Sequence, residues 1–131
     1  MIVVDTNVLA YLLIPGQYTD SAERLLLSEP EWAAPLLWRS ELRNVLATYV
    51  RAKRLELSDA IALHRRAADL IGAEEFEPDS ADVLRLAKAS GCSAYDCEFI
   101  SVAEYLDVKL ITADAKLAKT FKTRAVLLSD A

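Results

Sequence analysis

The sequence predicts an α/β fold, a parallel sheet covered by helices on both faces, and three observations carry that prediction. Short apolar runs, among them IVV near the start, VKLI and AVLL near the end, alternate with longer segments of helical periodicity. The breaks between them are single Pro or Gly residues at element ends, with no Ser/Gly-rich linker, repeat or low-complexity tract. A chain of 131 residues that is 53% hydrophobic is long enough to enclose a real core.

Taken in order, Ile2 to Val4 reads as a buried strand. Thr6 to Leu13 follows as a short helix ended by Pro15-Gly16, and Thr19 to Ser28 as a second with Ala22, Leu25 and Leu26 inward. EWAAP is a short strand before the clearest helix, LLWRSELRNVLATYVRAK, in which Trp38, Leu42, Val45, Leu46 and Tyr49 fall on one face. Ser58 is expected to cap a fourth helix, SDAIALHRRAADLIG, closed by Gly72. Ala73 to Phe76 reads as a strand, Asp79 to Ser90 as a helix ended by Gly91, and AYDCEFISVAEYL as another helix. VKLI is a strand, ADAKLAKTF a short helix and AVLL the last strand. Helices between strands imply a parallel sheet.

Composition narrows the possibilities further. Residues 1–131 are expected to form one domain. The apolar run at 8–14 is too short to cross a bilayer and no basic segment precedes it, so a cytoplasmic protein without a membrane association is expected. Cys92 and Cys97 are the only cysteines and His64 the only histidine, which excludes a disulfide framework and a zinc site. Both cysteines read as small apolar residues, and His64 as a helix-surface residue.

The candidate site emerges from acids that break their local patterns. Asp5 ends a buried strand, and Asp114 stands just beyond the end of VKLI. In open α/β sheets, ligands bind outside the carboxyl ends of the strands, so both acids share the productive edge. Asp96 lies in an apolar stripe itself, since Phe99, Ile100 and Ala103 follow at helical spacing. Glu41 sits at the border of the Trp38/Leu42/Val45/Tyr49 stripe, able to turn toward the same edge. Each has a plainer reading. Asp5 and Asp114 suit helix capping, Asp96 suits the positive end of a helix dipole, and Glu41 suits a solvent pair with Arg39 or Arg43.

If the four carboxylates converge, like charges in a partly dehydrated cleft require shared protons or a cation. All-oxygen ligands select a hard ion, Mg²⁺ or Mn²⁺. Such an ion serves phosphodiester hydrolysis without any histidine.

The residues also resemble a known family. DTNVL near the start, WRSEL about 35 residues later, and AYDCEFISVAEYLDVKLITAD near the end look, in order and spacing, like a PIN-domain ribonuclease, specifically a VapC-like toxin of a toxin-antitoxin pair. That resemblance covers essentially the whole chain. It implies a PIN-like three-layer sandwich, a mostly parallel five-stranded sheet flanked by helices, and endonucleolytic cleavage of RNA with Mg²⁺ or Mn²⁺. It implies that Asp5, Glu41, Asp96 and Asp114 hold the metal, with Asn7 and Thr112 in support. A cognate antitoxin and a homodimer are the partners it implies, besides the RNA substrate. The sequence departs from the family's commoner YDA in having Cys97, and lacks a clear further acid just past Asp114.

Net charge of -5 runs against the basic footprint of a nucleic-acid binder. Its distribution is uneven: residues 39–66 hold seven basic and three acidic side chains, whereas 67–107 hold two and ten. Arg39, Arg43, Lys116 and Lys119 flank the acids in sequence and are candidates to hold phosphates. Other small α/β classes fit less well. A signalling receiver wants adjacent acids after the first strand, where Thr6 follows Asp5, and a dehalogenase-like phosphotransferase wants Asp at position 7, which is Asn. The remaining alternative is a catalytically inactive PIN-like module that binds protein or RNA.

Overall fold

A computed structural model describes residues 1–131. The strands are β1 (Ile2–Val4), β2 (Trp32–Pro35), β3 (Glu75–Phe76), β4 (Leu110–Thr112) and β5 (Ala125–Leu127). The helices are α1 (Thr6–Leu13), α2 (Thr19–Ser28), α3 (Leu37–Arg51), α4 (Leu57–Ile71), α5 (Ser80–Ser90), α6 (Ala94–Leu106) and α7 (Ala115–Thr120), with a final 3₁₀ turn at Leu128–Asp130. The five strands form one sheet in the order β3-β2-β1-β4-β5, and every pairing is parallel. The expectation of a mostly parallel sheet is met in its strict form.

Strand alternation builds two cores from one sheet. Ile2, Val4, Trp32, Ala34 and Ile111 face a cluster with Val8 and Leu9 of α1, Leu25 of α2, Trp38, Leu42 and Leu46 of α3, and Ala60, Ala67 and Ile71 of α4. Val3, Ala33, Leu110 and Ala125 face the opposite cluster, with Val83, Cys97, Phe99, Ile100, Ala103 and Leu117 from α5, α6 and α7. The chain first runs outward from β1 through β2 to β3, then crosses back to β4 and β5 on the other side of β1. Crossovers of constant hand place the helices of these two limbs on opposite faces. The result is the three-layer sandwich, with its topological switch point between β1 and β4.

Local chemistry accounts for most element ends. Asp79 accepts a hydrogen bond from the Asp82 N–H and caps α5, and Gly91 ends it in the left-handed conformation that a side chain would oppose. Ser93 accepts from the Asp96 N–H and caps α6. The expected cap at Ser58 is not found. Helix α4 begins one residue earlier, at Leu57, with Glu56 in the cap position making no side-chain hydrogen bond. The third strand is shorter than Ala73 to Phe76, and the fourth is shifted to include Thr112. Cys92 and Cys97 are buried free thiols, as expected of small core residues. His64 is half-buried rather than freely exposed: its ring stacks on Trp38 at 5.2 Å between centroids, with Nε2 3.1 Å from the Arg39 carbonyl oxygen. No helix is long and apolar enough to cross a membrane.

Candidate active site

The switch point carries an open cleft of about 560 Å³, and all four pattern-breaking acids line it. Asp5 enters from the end of β1, Glu41 from the second turn of α3, Asp96 from the first turn of α6, and Asp114 from the end of β4. Asn7 lines the cleft beside them; Thr112 lies just beneath, fully buried and bonded to Asp5.

Asp5 is the most constrained of the four, with only 9% of its surface exposed. Its Oδ1 accepts from the Val8 N–H at 3.0 Å, so it does cap α1. Its Oδ2 accepts from the Thr112 hydroxyl at 2.5 Å and from the Ala113 N–H at 3.0 Å. One oxygen of Asp5 therefore caps α1 while the other is tied to the end of β4. Thr112 Oγ1 in turn accepts from the Asp114 N–H at 3.0 Å, so the hydroxyl that ties the end of β4 to Asp5 also holds the turn beyond β4. Asp114 also caps α7, its Oδ1 accepting from the N–H groups of Lys116 and Leu117.

Glu41 is fixed by a residue that sequence reasoning passed over. The Thr6 hydroxyl donates to Glu41 Oε1 at 2.7 Å, linking α1 to α3 across 35 positions of sequence. Thr6 is itself buried, and its place beside Asp5 in DTN was the available signal. The solvent pair of Glu41 with Arg39 does not form. Arg39 instead makes a two-pronged bond to Glu75 on β3 and lies over the Trp38 ring, while Arg43 lines a separate groove between α3 and α4.

Burial holds three of the acids above the ordinary carboxylate range. For Asp5, desolvation outweighs the hydrogen bonds from Thr112, Val8 and Ala113, and the charge of Asp96 adds to it. For Glu41, burial is again the main cause, opposed by the Thr6 bond and reinforced by Asp96 and Asp5. Asp96 is raised by burial and then by Asp114, against the opposing influence of Ser93 and Lys116. The four acids thus sense one another across a single cleft, and none is in a salt bridge. Lys116 is the one flanking cation near enough to oppose the charge of Asp96.

The acids are spread around the cleft wall, and no three His, Cys, Asp or Glu side chains already stand in an ion-binding arrangement. Their chemistry nevertheless suits a hard divalent cation. The donors are all oxygen, the charges repel, and no protein cation neutralises them through a direct bond.

An all-parallel sheet with strand-end carboxylates gathered at its switch point defines a class of α/β protein whose ligand site is built from acids. The chain belongs to the PIN domain family, whose model matches residues 2–122. It is 27% identical over 123 residues to Ribonuclease VapC3 of Pyrobaculum aerophilum, an alignment spanning 92% of this chain and 94% of that protein. Among solved structures, it is similar to PAE2754 from Pyrobaculum aerophilum, with a TM-score of 0.77 and 22% identity over 98% of this chain and 83% of that one. It is also similar to a chain of the toxin-antitoxin complex from Klebsiella pneumoniae, with a TM-score of 0.68 and 17% identity over the full length of both. The resemblance read from the motifs holds at the level of the family and its fold.

Proposed function

We propose that residues 1–131 act as one PIN-like domain, a Mg²⁺- or Mn²⁺-dependent endoribonuclease and the toxin of a toxin-antitoxin pair. The observation that carries this reading is the meeting of Asp5, Glu41, Asp96 and Asp114 from four separate elements in one cleft without a salt-bridge partner. Family membership and the ribonuclease name of the Pyrobaculum relative support it.

Asp5, Asp96, Asp114 and Glu41 would hold the ion, which when bound lowers the pKa of a water and offsets charge on the phosphate. Thr112 and the Ala113 N–H keep Asp5 aimed into the cleft. The Thr6 hydroxyl holds Oε1 of Glu41, leaving Oε2 outside that bond. Lys116 tempers the repulsion felt by Asp96. Because water attacks rather than the ribose 2′-hydroxyl, the products carry a 5′-phosphate and a 3′-hydroxyl.

An antitoxin fits a second feature, an apolar groove of about 510 Å³ between α3 and α4. Leu46, Val50, Leu57 and Ile61 line it, and Arg43 and Arg51 stand at its edges. A partner segment whose apolar residues cover this groove, with an Arg reaching the acids, would silence the enzyme through bidentate carboxylate pairing. The spread of the four acids favours a second reading, a non-catalytic binding module. Incubation of purified protein with RNA decides between them. Cleavage lost in EDTA and restored by Mn²⁺, with 5′-phosphate ends, supports the enzyme; intact RNA in every metal, or 2′,3′-cyclic ends, overturns it.

A further inference from the structure

Tyr95 is a large aromatic side chain at the acidic cleft that the fold itself leaves unused. It lies in the first turn of α6, next to Asp96, lines the cleft, and is 63% exposed. The aromatic pairs of the protein are Tyr11–Tyr18, Trp38–His64 and Phe76–Tyr105, and its stacked cations lie on Trp38 and Tyr49. Tyr95 takes part in none of these. Helix α6 is anchored by Cys97, Phe99 and Ile100 on its buried side, so packing does not require the ring.

The charge of the cleft makes such a ring informative. No Lys or Arg lines the cleft, four acids do, and the chain carries a net charge of -5. The side chains lining the cleft therefore offer no cation to a phosphate. Base stacking is indifferent to charge, and every base offers a π-face. Besides the acids, the cleft exposes three neutral polar side chains: Ser40, Asn44 and Asn7. They can meet base edges as donor or acceptor.

We infer that Tyr95 is a stacking platform for one base of a single-stranded RNA, the base adjoining the phosphate held at the acids. The inference rests on reading the cleft as an RNA-cleaving site and adds Tyr95 to it as a positioning residue, one that a duplex could not use because its bases are stacked on one another. It also assigns the contact a weak salt dependence, because no counterion is released when a ring stacks.

The test uses a short single-stranded RNA carrying 2-aminopurine, whose fluorescence is quenched on stacking. Binding is measured in Mg²⁺ on an Asp96→Asn background to suppress cleavage. Tyr95→Ala should weaken binding roughly 5- to 150-fold and abolish the quench, and Tyr95→Phe should stay within about twofold of the parent. The Ala effect should persist as salt is raised. Equal binding by the Ala variant, no quench with the parent, or a Phe variant as weak as Ala would overturn the assignment. So would a change in molar mass by light scattering in the Ala variant, which would give the ring to a subunit contact. Cleavage assays on the Asp96 form keep the two readings apart. Cleavage with an unchanged KM in Tyr95→Ala removes the platform and leaves the nuclease, whereas Tyr95-dependent binding without cleavage in any metal removes the nuclease and leaves the platform.

Discussion

Replacing Thr112 by Val tests whether the buried hydroxyl beneath the cleft is there for packing or for Asp5. Thr112 has no exposed surface, donates to Asp5 Oδ2, and accepts from the Asp114 N–H. Valine keeps the shape and deletes the oxygen. A hydrogen bond to a charged group contributes about 1.5 to 3 kcal/mol, so with the partly exposed Asp114 N–H also released we expect a loss of about 2 to 3 kcal/mol. Unfolding entropy of about 2.1 cal/mol/K per residue converts that to a fall in Tm of about 7 to 11 °C for this chain. Thr112→Ser keeps the hydroxyl and leaves a methyl-sized gap, costing about 1 kcal/mol, or about 4 °C. Thermal melts followed by circular dichroism in EDTA should therefore rank wild type above Ser above Val. The Val penalty should shrink as pH falls and Asp5 takes up its proton, because the bond then loses its charge assistance. It should also shrink on an Asp5→Asn background, as expected of two coupled sites. A Val variant that melts with wild type while Ser melts lower would refute the argument and make Thr112 a packing residue.

Other outcomes follow from the same geometry. Asp96→Asn keeps side-chain volume and removes one charge, so RNA cleavage should fall by at least about 100-fold while the melt is unchanged or improved; retained cleavage would exclude Asp96 from the metal site. The raised acids also fix a pH trend for the metal-free protein. Asp5, Glu41 and Asp96 hold protons more tightly folded than unfolded. Their contribution to stability is fully present below the unfolded carboxylate pKa and is lost as pH rises through the raised values. Melts in EDTA should therefore lose this contribution as pH rises above the unfolded carboxylate range, and Mn²⁺ should restore it; stability that climbs steadily with pH in EDTA would contradict the shifts. A homodimer should give a light-scattering mass near twice 14.5 kDa, and a solely monomeric mass at working concentration would overturn that assignment.

The sheet and the helices were legible because most strands lie in short apolar runs and the helices carry apolar stripes at 3.6-residue spacing; β3, Glu75–Phe76, is the exception. Strand order was not, since nothing local in VKLI says that it pairs with β1 rather than with β3. The acids divide in the same way. Asp5 stood out as a carboxylate closing a buried strand, and Asp96 as one inside an apolar stripe. Glu41 was visible only as a border residue, because the contact that orients it, from Thr6, joins positions 35 apart. Arg39 was misplaced for the same reason: its partner Glu75 lies 36 positions away on another strand. His64 was read as more exposed than it is because the Trp38 ring it stacks on belongs to α3. Long-range polar pairing leaves little trace in periodicity, and those pairs are what aim side chains into or away from the cleft.

The most direct test of the account is a crystal structure of the protein soaked in Mn²⁺, with anomalous scattering used to place the ion. The account predicts one strong anomalous peak in the cleft, bonded to Asp5 and Asp96, with Glu41 and Asp114 drawn toward it directly or through water. An ion bound elsewhere, or a cleft without anomalous density while its acids remain apart, would contradict it.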